Sequence, residues 1–240
     1  MNLPLVTGEF APATPGGRPV RWAATGRFGG NSTSPWNELN LADHVGDAPD
    51  SVVRNRQSLE AALDLNTVLY LNAEHGARVQ MVDGPRALLP GDACITGEPS
   101  LGLAALGADC ATVALAGGSF IAVVHCGWRG VVAGVIPAAL KALERVDPGP
   151  YRAVLGPHIC ARCYPVGIEV WEPVREVCPA AAARDHGRLV VNLRDGIVEQ
   201  ASPWEVRWTM VGGCTFEEEK FFSYRRDGTT GRQGLVIWRV

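Results

Sequence analysis

From Leu101 to Gly130 the chain reads LGLAALGADCATVALAGGSFIAVVHCGWRG. Three apolar runs, 101–106, 112–116 and 120–124, are separated by Ala108-Asp109-Cys110 and by Gly117-Gly118. Runs this short and this apolar, bounded by turn residues, read as strands of a mostly buried sheet. The last of them stops at His125, far short of the ~20 apolar residues a membrane helix needs.

The pattern extends in both directions. Upstream, 68–71, 79–82 and 93–96 are further strand-like runs, punctuated by Asp83-Gly84-Pro85 and Pro90-Gly91-Asp92. Before them, residues 50–63 carry Val52, Val53, Leu59, Ala62 and Leu63 at helical spacing after Pro49-Asp50. Downstream, the reading is a helix over 130–146 in spite of Pro137, a strand at 153–155, helices over 166–177 and 193–200, and a last strand at 235–240. The fold class expected is α/β (α+β), mixed β-sheets sandwiched by helices, in a single domain over 1–240. Residues 1–28 carry little signal, and the Pro/Gly/Thr-rich stretch 11–18 reads as a loop.

Composition excludes several function classes. The 240 residues are 47% apolar and 20% charged, an ordinary globular balance. Lys plus Arg is 22 and Asp plus Glu 25, a net charge of −3 with no basic block, so no nucleic-acid partner is expected. No membrane partner is expected either. Seven cysteines, with no export signal in residues 1–21, read as free thiols in a cytoplasmic protein. Five histidines are too few for a four-copper oxidase, which needs roughly twice as many imidazoles.

Three residues stand at the ends of apolar runs, where a sheet presents side chains to a cleft: His75, Cys110 and His125. Two imidazoles and a thiolate suit a zinc with one open position, and with a weak axial Met would suit copper. A cysteine after a buried strand is equally at home as a small core residue, so the residues alone leave both readings open. The CxxC at Cys160 and Cys163 has no second CxxC and no helix-opening context, and reads as bland. His158 and His186 read as turn and solvated residues. Polar clusters at Asn40, His44 and Asp47, at Arg54, Asn55 and Arg56, and at Arg225, Arg226 and Arg232 offer hydrogen bonds and arginine forks for an anion, or ion-paired surface loops.

Ten ordered pieces carry a resemblance. They are Gly29-Gly30 with Leu39-Asn40-Leu41 and His44-Val45-Gly46-Asp47; Asn55-Arg56; Glu74-His75-Gly76; Asp92-Ala93; Ala108-Asp109-Cys110; His125-Cys126-Gly127-Trp128-Arg129-Gly130; Gly156-Pro157-His158-Ile159; Cys163-Tyr164; Cys214-Thr215; and Ser223-Tyr224-Arg225-Arg226-Asp227 with Thr230-Gly231-Arg232. From Gly29 to Trp238 the chain resembles the laccase-domain (YfiH-like) family, long called polyphenol oxidases and now regarded as purine nucleoside phosphorylases. It departs from the family pattern at Asn72-Ala73, Gly107, Cys126 and Pro165, none of them a metal ligand.

The resemblance implies strands sandwiched by helices, as in a bacterial toxin deamidase domain. It implies one metal, zinc before copper, on His75, Cys110 and His125, which are also the expected catalytic residues. It implies phosphorolysis of adenosine, inosine, guanosine and methylthioadenosine, with adenosine deamination as a side activity. Asn40, His44, Arg56 and Arg129 are then the expected substrate-binding residues, with Arg56 and Arg129 on phosphate and Asn40 on sugar or base. Competing readings are a thiol hydrolase with Cys110 as nucleophile and His125 as base, an editing enzyme for cell-wall precursors, a copper phenol oxidase, and a non-enzymatic binding protein.

Overall fold

The structure, a computed structural model, describes residues 3–12, 17–85 and 89–240. Part of the predicted loop over 11–18 lies outside the described residues. In chain order the strands are β1 (Val6–Phe10), β2 (Val20–Ala24), β3 (Thr67–Asn72), β4 (Val79–Val82), β5 (Leu89–Pro90), β6 (Ala93–Thr96), β7 (Leu101–Gly107), β8 (Ala111–Ala116), β9 (Ile121–Cys126), β10 (Tyr151–Leu155), β11 (Ala182–Asp185), β12 (Arg188–Val191), β13 (Val206–Met210) and β14 (Gln233–Arg239). The helices are α1 (Pro49–Leu63), α2 (Trp128–Ala133), α3 (Val135–Glu144), α4 (Ile168–Val177), α5 (Leu193–Gln200) and α6 (Tyr224–Asp227).

Among the described residues two six-stranded mixed sheets form, in the orders β1-β2-β14-β7-β3-β5 and β13-β10-β8-β9-β6-β4, with β11 and β12 as a separate hairpin. The sheets pack face to face through Leu69, Leu103, Leu235 and Ile237 of the first and Ala114, Ile121, Val123 and Val154 of the second. The outer face of the first sheet is covered by Leu59 and Leu63 of α1. Val113, Leu115, Ala122 and Val124 on the other face of the second sheet meet Val135, Ile136, Leu140 and Ile197. Helix, sheet, sheet, helix is thus the layer order, a mixed α/β single domain. Strands covered on both faces have no polar side to show, which is why they read as unbroken apolar runs.

The expected helix over 130–146 is two helices. Gly134 adopts φ 72° and caps α2, and α3 restarts at Val135. Pro137 then falls in the first turn of α3, where its missing N–H costs no hydrogen bond. The helix expected from 166 begins at Ile168, after Gly167 in the extended conformation, while Val166 pairs through its N–H with Leu189 O. Residues 1–28 supply β1 and β2, which continue the first sheet through β14.

Candidate metal centre and cleft

β3 and β7 run parallel, so their C-terminal ends lie together. β7 belongs to the first sheet and β8 to the second, so Ala108-Asp109-Cys110 is the crossover between sheets. β8 and β9 are antiparallel with Ala111 opposite Cys126, which brings the end of β9 to the start of β8. His75 beyond β3, Cys110 before β8 and His125 near the end of β9 therefore converge at one end of the sandwich.

Their donor atoms lie within 4.8 Å of one another, and the imidazole rings meet edge to face at 4.8 Å between centroids. With zinc bonds of about 2.0–2.3 Å to nitrogen and sulfur, one ion could bind all three after small side-chain movements. His125 is buried and its Nδ1 faces Asp92 Oδ1 at 3.2 Å, leaving Nε2 as its free donor. Burial opposes charge on Cys110, but the neighbouring His125 and His75 outweigh it and lower the thiol. Burial likewise opposes charge on His125, yet Cys110 and Asp92 raise it. A sulfur that favours thiolate beside two imidazoles is the donor chemistry of a zinc centre, so the residues fit the metal.

Asp92 organises the centre from behind. It is fully buried, accepts the N–H of His75 on Oδ1 and of Gly76 on Oδ2, both at 2.8 Å, and its carbonyl accepts the His125 N–H. Those contacts hold His75 at φ 59°, a left-handed conformation that a non-glycine residue seldom adopts. Burial resists ionisation of Asp92, but the hydrogen bonds from His125, Gly76 and His75 prevail and lower it. Asp109, at φ 97°, is fixed in the same manner: Oδ1 accepts the Thr215 hydroxyl and Oδ2 the Arg225 N–H, both at 2.6 Å. Gly127 leaves room for the sulfur, since a Cβ there would stand 2.7 Å from Cys110 Sγ.

The three residues line a cleft of about 630 Å³ with His44, Trp128, Arg129, Tyr164, Tyr224, Arg225 and Arg232 around it. That volume is in the range of small-molecule sites. Arg129 stacks over Trp128 at 4.3 Å and makes no hydrogen bond among the described residues. Arg225 stacks over Tyr164 at 5.1 Å, and Arg232 donates to the Thr230 and Gly231 carbonyls. Burial, with Arg232 nearby, lowers His44 and favours its neutral form.

Two expected substrate residues lie elsewhere. Asn40 is fully buried: its Nδ2 donates to Ala42 O and Asp47, and its Oδ1 accepts the Ala42 and Arg232 N–H groups. It shapes the rim under Arg232 and does not line the cleft. Arg56 lines an adjoining cleft of about 210 Å³ that shares His44, Leu71 and Leu106 with the first. Its guanidinium donates to Leu41 O, pairs with Asp43 at 3.3 Å and covers the Tyr70 ring at 4.2 Å. Asp92, Tyr164 and Tyr224 entered the sequence reading only as pieces of the resemblance, with no role of their own; Pro-Gly-Asp just ahead of a buried strand was the available signal for Asp92.

The family model described as multi-copper polyphenol oxidoreductase laccase matches residues 21–240. A Streptomyces coelicolor protein named purine nucleoside phosphorylase is 40% identical over 225 residues, covering 89% of this chain and 93% of its own. An Escherichia coli protein named purine nucleoside phosphorylase YfiH is 35% identical over 240 residues, covering 96% and 98%. The crystal structure of a Neisseria meningitidis protein superposes with a TM-score of 0.83 at 32% identity, covering 98% of each chain.

Proposed function

The chain belongs to the family described as multi-copper polyphenol oxidoreductase laccase, and on that premise we propose that it is a zinc-dependent purine nucleoside phosphorylase. Its substrates are adenosine, inosine, guanosine and methylthioadenosine, with adenosine deamination as a side activity. The observation that carries this reading is the His75, Cys110 and His125 triangle inside a nucleoside-sized cleft edged with arginines and aromatic rings, in a chain whose relatives are named purine nucleoside phosphorylases.

In phosphorolysis a phosphate oxygen bonds to C1′ as the C1′–N9 bond breaks, and the bond pair leaves with the purine, which takes up a proton. Phosphate must approach the sugar face opposite the base. Arg129 presents an uncommitted guanidinium for it, with Arg225 on the same rim. Trp128, Tyr164 and Tyr224 give flat apolar surfaces against which base and sugar are oriented. Neutral His44 offers a hydrogen bond without adding charge where the base becomes anionic. His75, Cys110 and His125 would hold a zinc, which when bound would supply Lewis-acid chemistry for polarising a substrate oxygen or activating the water that deamination requires.

A specific geometry favours a second reading. Cys110, His125 and Asp92 stand in the order nucleophile, base and orienting carboxylate of a thiol hydrolase. His75, at the same sulfur, has no place in such a relay but completes a metal ligand set. A four-copper oxidase finds no support, because five histidines cannot furnish its ligands.

Zinc content and phosphate-dependent cleavage of inosine, measured together on the native chain and a His75→Ala, Cys110→Ala variant, test the proposal. The variant is expected to lose one equivalent of zinc and its turnover. Undiminished turnover in the variant contradicts it.

A further inference from the structure

Outside the cleft, two short turns face each other. Cys160 and Cys163 flank a 3₁₀ turn, with the Cys163 N–H on Cys160 O at 3.1 Å. Cys214 and Glu217 flank a second, with the Glu217 N–H on Cys214 O at 3.2 Å. A bridge between His158 and Cys214, and the Thr215 N–H on His158 O, hold the two segments in register. The donor atoms of Cys160, Cys163, Cys214 and Glu217 all lie within 4.8 Å of one another.

We propose that these four residues form a second metal centre, a structural zinc site separate from the cleft. Three sulfurs and one carboxylate make a closed four-donor set, and soft sulfur donors select zinc over magnesium or calcium. The C-x-x-C turn and the C-x-x-E turn each present two donors from one short turn, as the C-x-x-C turns of structural zinc sites do. The Cys160 N–H already points at Cys214 Sγ at 3.3 Å, the backbone-to-sulfur contact that stabilises a thiolate. The three cysteines are free and half-buried. Glu217 ties Arg162 at 2.6 Å and accepts from Cys163 Sγ at 3.2 Å, so a guanidinium stands beside a site whose ligands and ion together carry excess negative charge.

In the chain without metal, burial and then Glu217 and Cys160 push the Cys163 thiol up. Zinc binding releases the thiol protons to solvent and replaces those contacts with metal bonds. No donor of this site lines the cleft. The first turn runs directly into Tyr164, and Thr215 beside the second bonds Asp109 next to Cys110. The ion therefore staples the loop after β10 to the loop after β13, and with it the rim of the cleft.

The test uses the reduced full-length chain. A His75→Ala, Cys110→Ala variant, which lacks the cleft ligands, is titrated with cobalt(II). It should take up one equivalent and develop strong thiolate-to-cobalt charge-transfer absorption. Adding Cys163→Ser and Cys214→Ser should abolish both. In the otherwise native chain, the same two serines should remove one of two zinc equivalents and lower the melting midpoint by roughly 5 °C or more. Should the serine variants fail to fold, the cobalt titration of the first variant decides alone. No cobalt uptake there, or a disulfide among Cys160, Cys163 and Cys214 in thiol-blocked protein, overturns the proposal.

Discussion

Asp92 touches no open space, yet it fixes two of the three proposed metal ligands. Its carboxylate holds the His75 and Gly76 N–H groups and faces His125 Nδ1. Asp92→Asn would set an amide N–H₂ against donors and is expected to weaken zinc at the cleft by about 10- to 100-fold. Competition with a chelator reads this directly, and kcat should fall with little change in the nucleoside KM. Arg129 and Arg56 make a second contrast. Arg129→Ala removes a partly solvated cation from the rim and should raise the phosphate KM by about 5- to 30-fold, or roughly 1–2 kcal/mol. Arg56→Ala should leave the phosphate KM unchanged and cost about 1 kcal/mol of stability through the Tyr70 face and the Leu41 carbonyl. Equal effects of the two on phosphate would return that role to Arg56. His75, Cys110 and His125 drew notice as polar residues beside apolar runs, but only the resemblance singled them out as a ligand set. Asn40 and Arg56 already make hydrogen bonds within the chain, which a sequence cannot show because it gives a side chain's chemistry and not its partners.

The strands of the two-sheet core were legible because both faces of β7, β8 and β9 are covered, giving uninterrupted apolar runs. The strands β1, β2, β5, β11, β12 and β13 were not, since they are short and, apart from β5, carry charged residues. The break at Gly134 escaped notice because α2 and α3 are both apolar on the side facing the second sheet. Leu103 on β7 is fully buried between the sheets, so Leu103→Ala is expected to cost 2–5 kcal/mol, about the range for a large-to-small core change. Val53, half exposed on α1, should change stability by less than about 0.5 kcal/mol when cut to Ala. Urea midpoints of the two variants test the layer assignment; equal losses would contradict it.

At the scale of the molecule, the site is an assembly of segments remote in sequence. The ends of β3 and β9 and the crossover between sheets bring His75, His125 and Cys110 together, and the segment 211–232 lies beside them through Thr215, Arg225 and Arg232. No local pattern states which strand ends will meet, so the cleft was legible only through the resemblance of ten ordered pieces. In the function proposed, this cleft transfers ribose from a purine to phosphate with Cys110 as a ligand and not a nucleophile. Mass spectrometry of a reaction with inosine, run with and without phosphate, tests it most directly. Equal amounts of hypoxanthine and ribose 1-phosphate are expected, with no turnover when phosphate is left out and no added mass on the protein. Free ribose formed at the same rate without phosphate, together with a substrate adduct on Cys110, would contradict it.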